Sequence, residues 1–222
     1  MVQVRDDALR PVRWIGGQVA LVGGTEFDVD AATHMADFDL GFGIVKNRFG
    51  HSGVPLDWGV HYAYLHSVAR AGGTEVLVGG AYRWETFVAY YADWDDSFMY
   101  WLTTHTLAPS VAFRRRLSRG RELLFAAEIP LFGLLSRPEA YRDNKVDPLT
   151  YPSRWIGFTH RNARGAGPLN LYAPWFLARY ASMWSSHWGM VYALSVAYRH
   201  TPRPRTFSLL TETLSVEVRR VF

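Results

Sequence analysis

Residues 187–199 read His-Trp-Gly-Met-Val-Tyr-Ala-Leu-Ser-Val-Ala-Tyr-Arg, and their alternation decides the fold class. A strand turns successive side chains to opposite faces, so a period of two sorts the residues onto two surfaces. The even positions Trp188, Met190, Tyr192, Leu194, Val196 and Tyr198 form a large apolar face with aromatics at both ends. The odd positions His187, Gly189, Val191, Ala193, Ser195, Ala197 and Arg199 are mostly small or polar. The same division recurs for Ala36, Phe38, Leu40, Phe42 and Ile44 against Asp37, Asp39, Gly41 and Gly43. It recurs for Leu56, Trp58, Val60, Tyr62 and Tyr64 against Asp57, Gly59, His61 and Ala63, and for Val76, Val78, Tyr82 and Trp84 against Gly79, Ala81, Arg83 and Glu85. Each stretch is read as a strand.

Around these stretches lies a chain of 222 residues, 49% hydrophobic and 20% charged, which is the balance of an ordered, core-forming protein. Aromatics make up 15% of it, as 13 Phe, 12 Tyr and 9 Trp, an excess that needs an explanation. Cysteine is absent, which excludes disulfide frameworks and thiolate metal sites. The net charge of +4 comes from Arg dispersed along the chain, with runs only at Arg114-Arg115-Arg116 and Arg219-Arg220. Such dispersion is not the concentrated basic face of a nucleic-acid binder, and no nucleic-acid partner is expected. The first residues show no apolar segment of a signal peptide. The best stretch for a spanning helix, residues 180–198, carries four Ser, His187 and Gly189, so no helical span is expected.

Soluble sandwiches also alternate, but their outward faces are usually long and charged. Here the small face is rich in Gly and Ala, and the opposite face is greasy and edged by aromatics. A closed barrel in lipid needs that arrangement, with hydrocarbon outside and a tight polar interior. Trp and Tyr favour the headgroup level of a bilayer, which accounts for the aromatic excess. The alternative, a soluble calyx for a hydrophobic ligand, requires a greasy interior and a polar exterior.

The last strand reads Leu214-Ser-Val-Glu-Val-Arg-Arg-Val-Phe222, with Val216, Val218 and Phe222 in phase and Arg220 breaking the apolar phase. With this terminus the chain resembles the bacterial outer-membrane β-barrel superfamily, especially its small members, without matching an individual family. The resemblance implies residence in the bacterial outer membrane and contact with membrane lipids. It also implies that Val216, Val218 and Phe222 form an address for the barrel assembly machinery.

The strands are expected at residues 34–46, 55–68, 75–88, 97–114, 122–135, 169–182, 187–200 and 207–222, an antiparallel up-and-down transmembrane β-barrel of even strand number, eight or alternatively ten. Residues 11–24 are also strand-like. Either 1–33 is an N-terminal appendage or a further strand hides in 136–168, the long outer loop of a single 1–222 domain. The short links 69–74, 115–121 and 183–186 fall at one end, and the longer 47–54, 89–96 and 136–168 at the other.

Parity then assigns the interior. Asp37, Asp39, Asp57, Glu85, Glu128 and Glu217 are expected to point inward, with Arg83, Arg179, Arg199 and Arg219. Confined charges are costly unless paired, so a salt-bridge network and a plugged lumen are expected rather than an open pore. The outer loops carry Tyr90, Tyr91, Trp94, Tyr141, Arg142, Tyr151 and Trp155, a candidate surface for a protein or glycolipid partner. Some outer-membrane barrels are phospholipases or lipid A deacylases, and those that cleave esters resemble one another in a His-x-Ser-Asn segment. The nearest segment here, Thr159-His160-Arg161-Asn162, offers His160 and Asn162 but has Arg161 where the nucleophile belongs, leaving Thr159 or a distant Ser as substitute. No metal site is expected, since His61 and His66 lie five apart on a strand and face opposite ways. No cofactor is expected.

Overall fold

A computed structural model describes residues 1–6, 10–91, 98–118, 120–138, 157, 159–185, 188–202 and 206–220, with backbone alone at 6, 10–12, 98–99 and 219–220. The alternating stretches become β1 (Val2–Asp6), β2 (Arg10–Val29), β3 (Ala32–Asn47), β4 (Ser52–Ala71), β5 (Thr74–Tyr91) and β6 (Phe98–Arg116). They continue as β7 (Arg121–Glu128), β8 (Phe132–Ser136), β9 (Arg164–Ala166), β10 (Trp175–Met183), β11 (Trp188–Thr201) and β12 (Phe207–Arg220). Neighbours pair antiparallel in the order β5-β4-β3-β2-β1-β12-β11-β10-β7-β6, and the β5–β6 ladder closes the sheet into a barrel.

Three strand boundaries differ from those read in the sequence. Residues 122–135 form two strands rather than one: β7 pairs with residues 110–116 of β6, and β8 with residues 103–107. The break falls at Ile129-Pro130-Leu131, where Pro130 has no N–H to give the ladder. The strand expected from residue 169 begins at Trp175; ahead of it a turn leads to an isolated bridge between Tyr172 and His200. Within 136–168, β9 pairs with β8, so part of that segment belongs to the wall. Residues 11–24 lie in β2, which ladders with β3, and β1 ladders with both β2 and β12.

Tight turns set the register at one end. Gly72 and Gly73, at φ 56 and 78, make the two-residue link between β4 and β5, a backbone that suits a right-twisted hairpin and that glycine adopts without strain. Asp30, at φ 56, does the same between β2 and β3. This turn end also carries the β6–β7 and β10–β11 links, and the opposite, loop end carries the rest.

The two faces separate as the period requires. Phe38, Leu40, Phe42 and Ile44 on β3, Val60, Tyr62 and Tyr64 on β4, and Tyr192 and Leu194 on β11 are exposed on the outer wall. A calyx in water would need the reverse. Inside, the loop end is packed by Val4, Trp14, Val45, Phe87, Tyr91, Tyr100 and Phe207, with Trp14 and Tyr91 rings 4.5 Å apart. A second apolar layer contains Met35, Leu65, Leu77, Leu124 and Trp175. Among the described residues no helix is long and apolar enough to cross a membrane, which says nothing about strands.

Candidate functional site: the charged lumen and an outer histidine pair

Because β3, β4 and β5 present alternate residues inward, their acids and bases meet between the two apolar layers. Asp37, Asp39, Asp57, Arg83, Glu85, Arg179, Arg199 and Glu217 line one internal cavity of about 120 Å³, with Gln18 and His61. His61 sits between two acids, its Nδ1 3.1 Å from Asp37 and its Nε2 2.8 Å from Glu128. A doubly protonated imidazole donates to both at once. Glu128, 3% exposed, also accepts from Arg83 at 3.1 Å. The Arg83 guanidinium lies 4.2 Å from the centre of the Trp175 ring, a cation–π contact. Arg199 of β11 reaches Glu85 of β5 at 2.5 Å, and Gln18 of β2 donates to Asp57 of β4 at 3.5 Å. Ser215 donates to Glu217 at 3.3 Å. Arg219 is described by its backbone alone.

A second cluster closes the turn end. Arg114, 2% exposed, donates to Glu26 at 2.5 Å and to Asp28 at 3.4 Å, with Glu75 at 3.6 Å. Arg179 donates to the same Glu26 at 2.5 Å and to Glu122 at 3.2 Å. Arg70 holds Glu75 from outside at 2.5 Å. Arg114, Glu26, Asp28, Glu75 and Glu122 were not singled out in the sequence. Parity places Arg114 in phase with the inward Ala112, but the flanking Arg115 and Arg116 make the three read as a solvated run.

Chemically, both clusters neutralise charge across the lumen. The bonds of Arg199 to Glu85, of Arg83 and His61 to Glu128, and of Arg114 and Arg179 to Glu26 join strands that are not neighbours and tie the walls together. Those of His61 to Asp37, Arg179 to Glu122 and Arg70 to Glu75 link adjacent strands. Removing one partner would leave a buried charge with part of its compensation lost.

His160 lies elsewhere, against the outer face of the wall. Its Nε2 is 2.8 Å from Nε2 of His105, whose Nδ1 is 2.7 Å from the Tyr82 hydroxyl. Trp84 stacks on His105, its ring centre 5.6 Å away at an interplanar angle of 7°. Thr159 Oγ1 is 3.3 Å from His160 Nδ1, but Thr159 is fully buried and closed to substrate. Asn162 sits in the following turn at φ 66 and makes a backbone reversal. Tyr82 and Trp84 were read in the sequence only as part of the large apolar face, and no spacing pairs His105 with His160.

Of the outer-loop residues, Tyr90 is exposed on the wall, whereas Tyr91 turns inward against Trp14 and offers no outer surface. Trp94, Tyr141, Arg142, Tyr151 and Trp155 lie outside the described residues, as does Phe222. Val216 and Val218 are exposed on β12, opposite Tyr192 and Met190 of β11. Among the described residues, no group of three or more His, Asp or Glu is arranged to hold a metal ion. No known protein family matches the chain, and neither does any curated protein or solved structure.

Proposed function

We propose that the protein is an integral barrel of the bacterial outer-membrane type, with ten strands in its wall and a filled lumen, serving a structural role or loop-mediated binding. The observation that carries this reading is the wall itself. Large apolar side chains are exposed on its strands all the way round, while the ionised side chains of Glu85, Glu128, Arg83 and Arg199 are turned inward and paired. In water an apolar surface of that extent is a liability, and in hydrocarbon it is the required exterior. The apolar layer at the loop end, the ion pairs and the smallness of the cavity support a lumen closed to ions.

Gel migration of detergent-refolded protein with and without boiling, alongside circular dichroism, tests the barrel. A β spectrum with a boiling-dependent shift is expected, and a protein that stays soluble without detergent and shows no shift would overturn it. Steady conductance in a planar bilayer would overturn the filled lumen. Deleting residues 139–150 tests the loops, since unchanged folding with unchanged partner capture would leave them only a covering role.

The Thr159–His160 contact favours one alternative, a lipid-modifying enzyme centred on His160. The burial of Thr159 weighs against it. Phospholipid and lipid A turnover by the wild type, abolished in His160→Ala, would restore it.

A further inference from the structure

At the turn end the ring is interrupted between β12 and β2. β1 stands between β12 and β2 only over its own few residues, with Val2 opposite Thr211 on one side and Gly16 on the other. Beyond Met1, β12 continues through residues 213–220 and β2 through 18–29, each laddered on its far side to β11 and β3. Among the described residues no ladder joins β12 to β2 there. The flanking outward side chains are unusually bare: Val19 is 82% exposed and Leu214 77%, against 42% for Val60 on the fully flanked β4.

Direction decides what fits. β12 and β2 are each antiparallel to β1, so they run the same way. A direct ladder between them would be parallel, in a sheet whose other pairs are all antiparallel. One strand running the opposite way restores the alternation. Met1 and Glu212 exchange both backbone hydrogen bonds, at 2.6 and 2.9 Å, so by alternation Leu214, Val216 and Val218 aim their N–H and C=O groups into this lane. An acyl chain can cover such groups but cannot pair them, and hydrocarbon does not tolerate them unpaired.

We propose that the lane seats one more β-strand, continuous with β1 ahead of Met1, an inference that rests on the membrane reading above. Extending the β1 register specifies its pattern. The first, third and fifth residues ahead of Met1 face Gln18 and Thr213, Ala20 and Ser215, and Val22 and Glu217. All six of those residues line the cavity, so these three strand positions take small or polar side chains. The second and fourth face Val19 and Leu214, and Leu21 and Val216, and take apolar ones.

The chain has no cysteine, so introduced pairs report the lane directly. An eight-residue extension of that pattern, with Cys at its third position, is joined ahead of Met1 in a Ser215→Cys background, and mild oxidation follows refolding in detergent. By the same alternation the third position and Ser215 form the non-hydrogen-bonded kind of pair, whose spacing suits a disulfide. The expected yield is about tenfold above that of a Cys one position out of register, whose side chain faces the other way. Folded protein without that preference overturns the proposal, and an extension left uncross-linked and open to protease points to lipid in the lane. Ready disulfide formation by Ala20→Cys with Ser215→Cys in the unextended chain also overturns it, because β12 would then meet β2 directly. Boiling-dependent migration is read on the same samples. Chains that never fold in detergent, extended or not, sink the membrane reading and the lane together, whereas folded chains without the cross-link sink the lane alone.

Discussion

The half-wall of β3 to β7 and the half-wall of β10 to β12 face the same lumen with different side chains. The first contributes Asp37, Asp57, His61, Arg83, Glu85 and Glu128, backed by Leu65, Leu77 and Leu124. The second contributes Ala193, Ser195, Ala197, Thr211, Thr213 and Ser215, and only Arg179, Arg199 and a few others reach across from it. The cavity therefore lies against the small-residue side. A barrel of uniform outer appearance can be filled from one half, and its cross-ties then hang on few bonds.

The largest expected effect tests the filled half. Glu128→Ala removes the buried acid that His61 and Arg83 share, and a loss of about 3–5 kcal/mol in denaturant unfolding from detergent micelles is expected. Ser195→Ala on the opposite wall should stay within about 0.5 kcal/mol. Equal losses would erase the distinction between the halves.

Next comes the contrast between exterior and interior. Leu40→Arg on the exposed face of β3 should cost about 2–4 kcal/mol in phospholipid vesicles if it meets hydrocarbon. If the wall meets water instead, unfolding will be unchanged to within about 0.5 kcal/mol. A smaller effect separates packed from unpacked lumen. Ala112→Leu, at a fully buried position in the apolar layer, should cost about 1–3 kcal/mol by overpacking, while Ala193→Leu beside the cavity should cost less than about 1 kcal/mol. Thermal unfolding of the two variants side by side checks it. Smallest is His160→Phe, which removes the bond to His105 and should cost about 0.5–1.5 kcal/mol.

Much of the wall was legible in the residues. Alternation along 34–46 and 55–68 falls inside β3 and β4, up to three residues short at either end, and 187–200 is offset from β11 by one residue, because a strand's two faces are a local property. The strand over 122–135 was less legible, since the same alternation runs through Pro130 and only the missing ladder bond reveals the break. Tyr91 shows a different limit: an aromatic at a strand end reads as a loop residue until the facing Trp14 is known. His105 and His160 are fifty-five positions apart, and no periodicity relates a strand to a returning loop.

Sequence by itself determined that the chain forms alternating strands with a greasy face and a small or charged face, because side-chain parity is set residue by residue. Tertiary structure alone decided which charges meet. Glu26 bonds Arg114 and Arg179, and Glu85 bonds Arg199, across a closed lumen. Those partners follow from the register and closure of the whole sheet. Only closure also brought β12 alongside β2, with no ladder joining them beyond Met1 among the described residues.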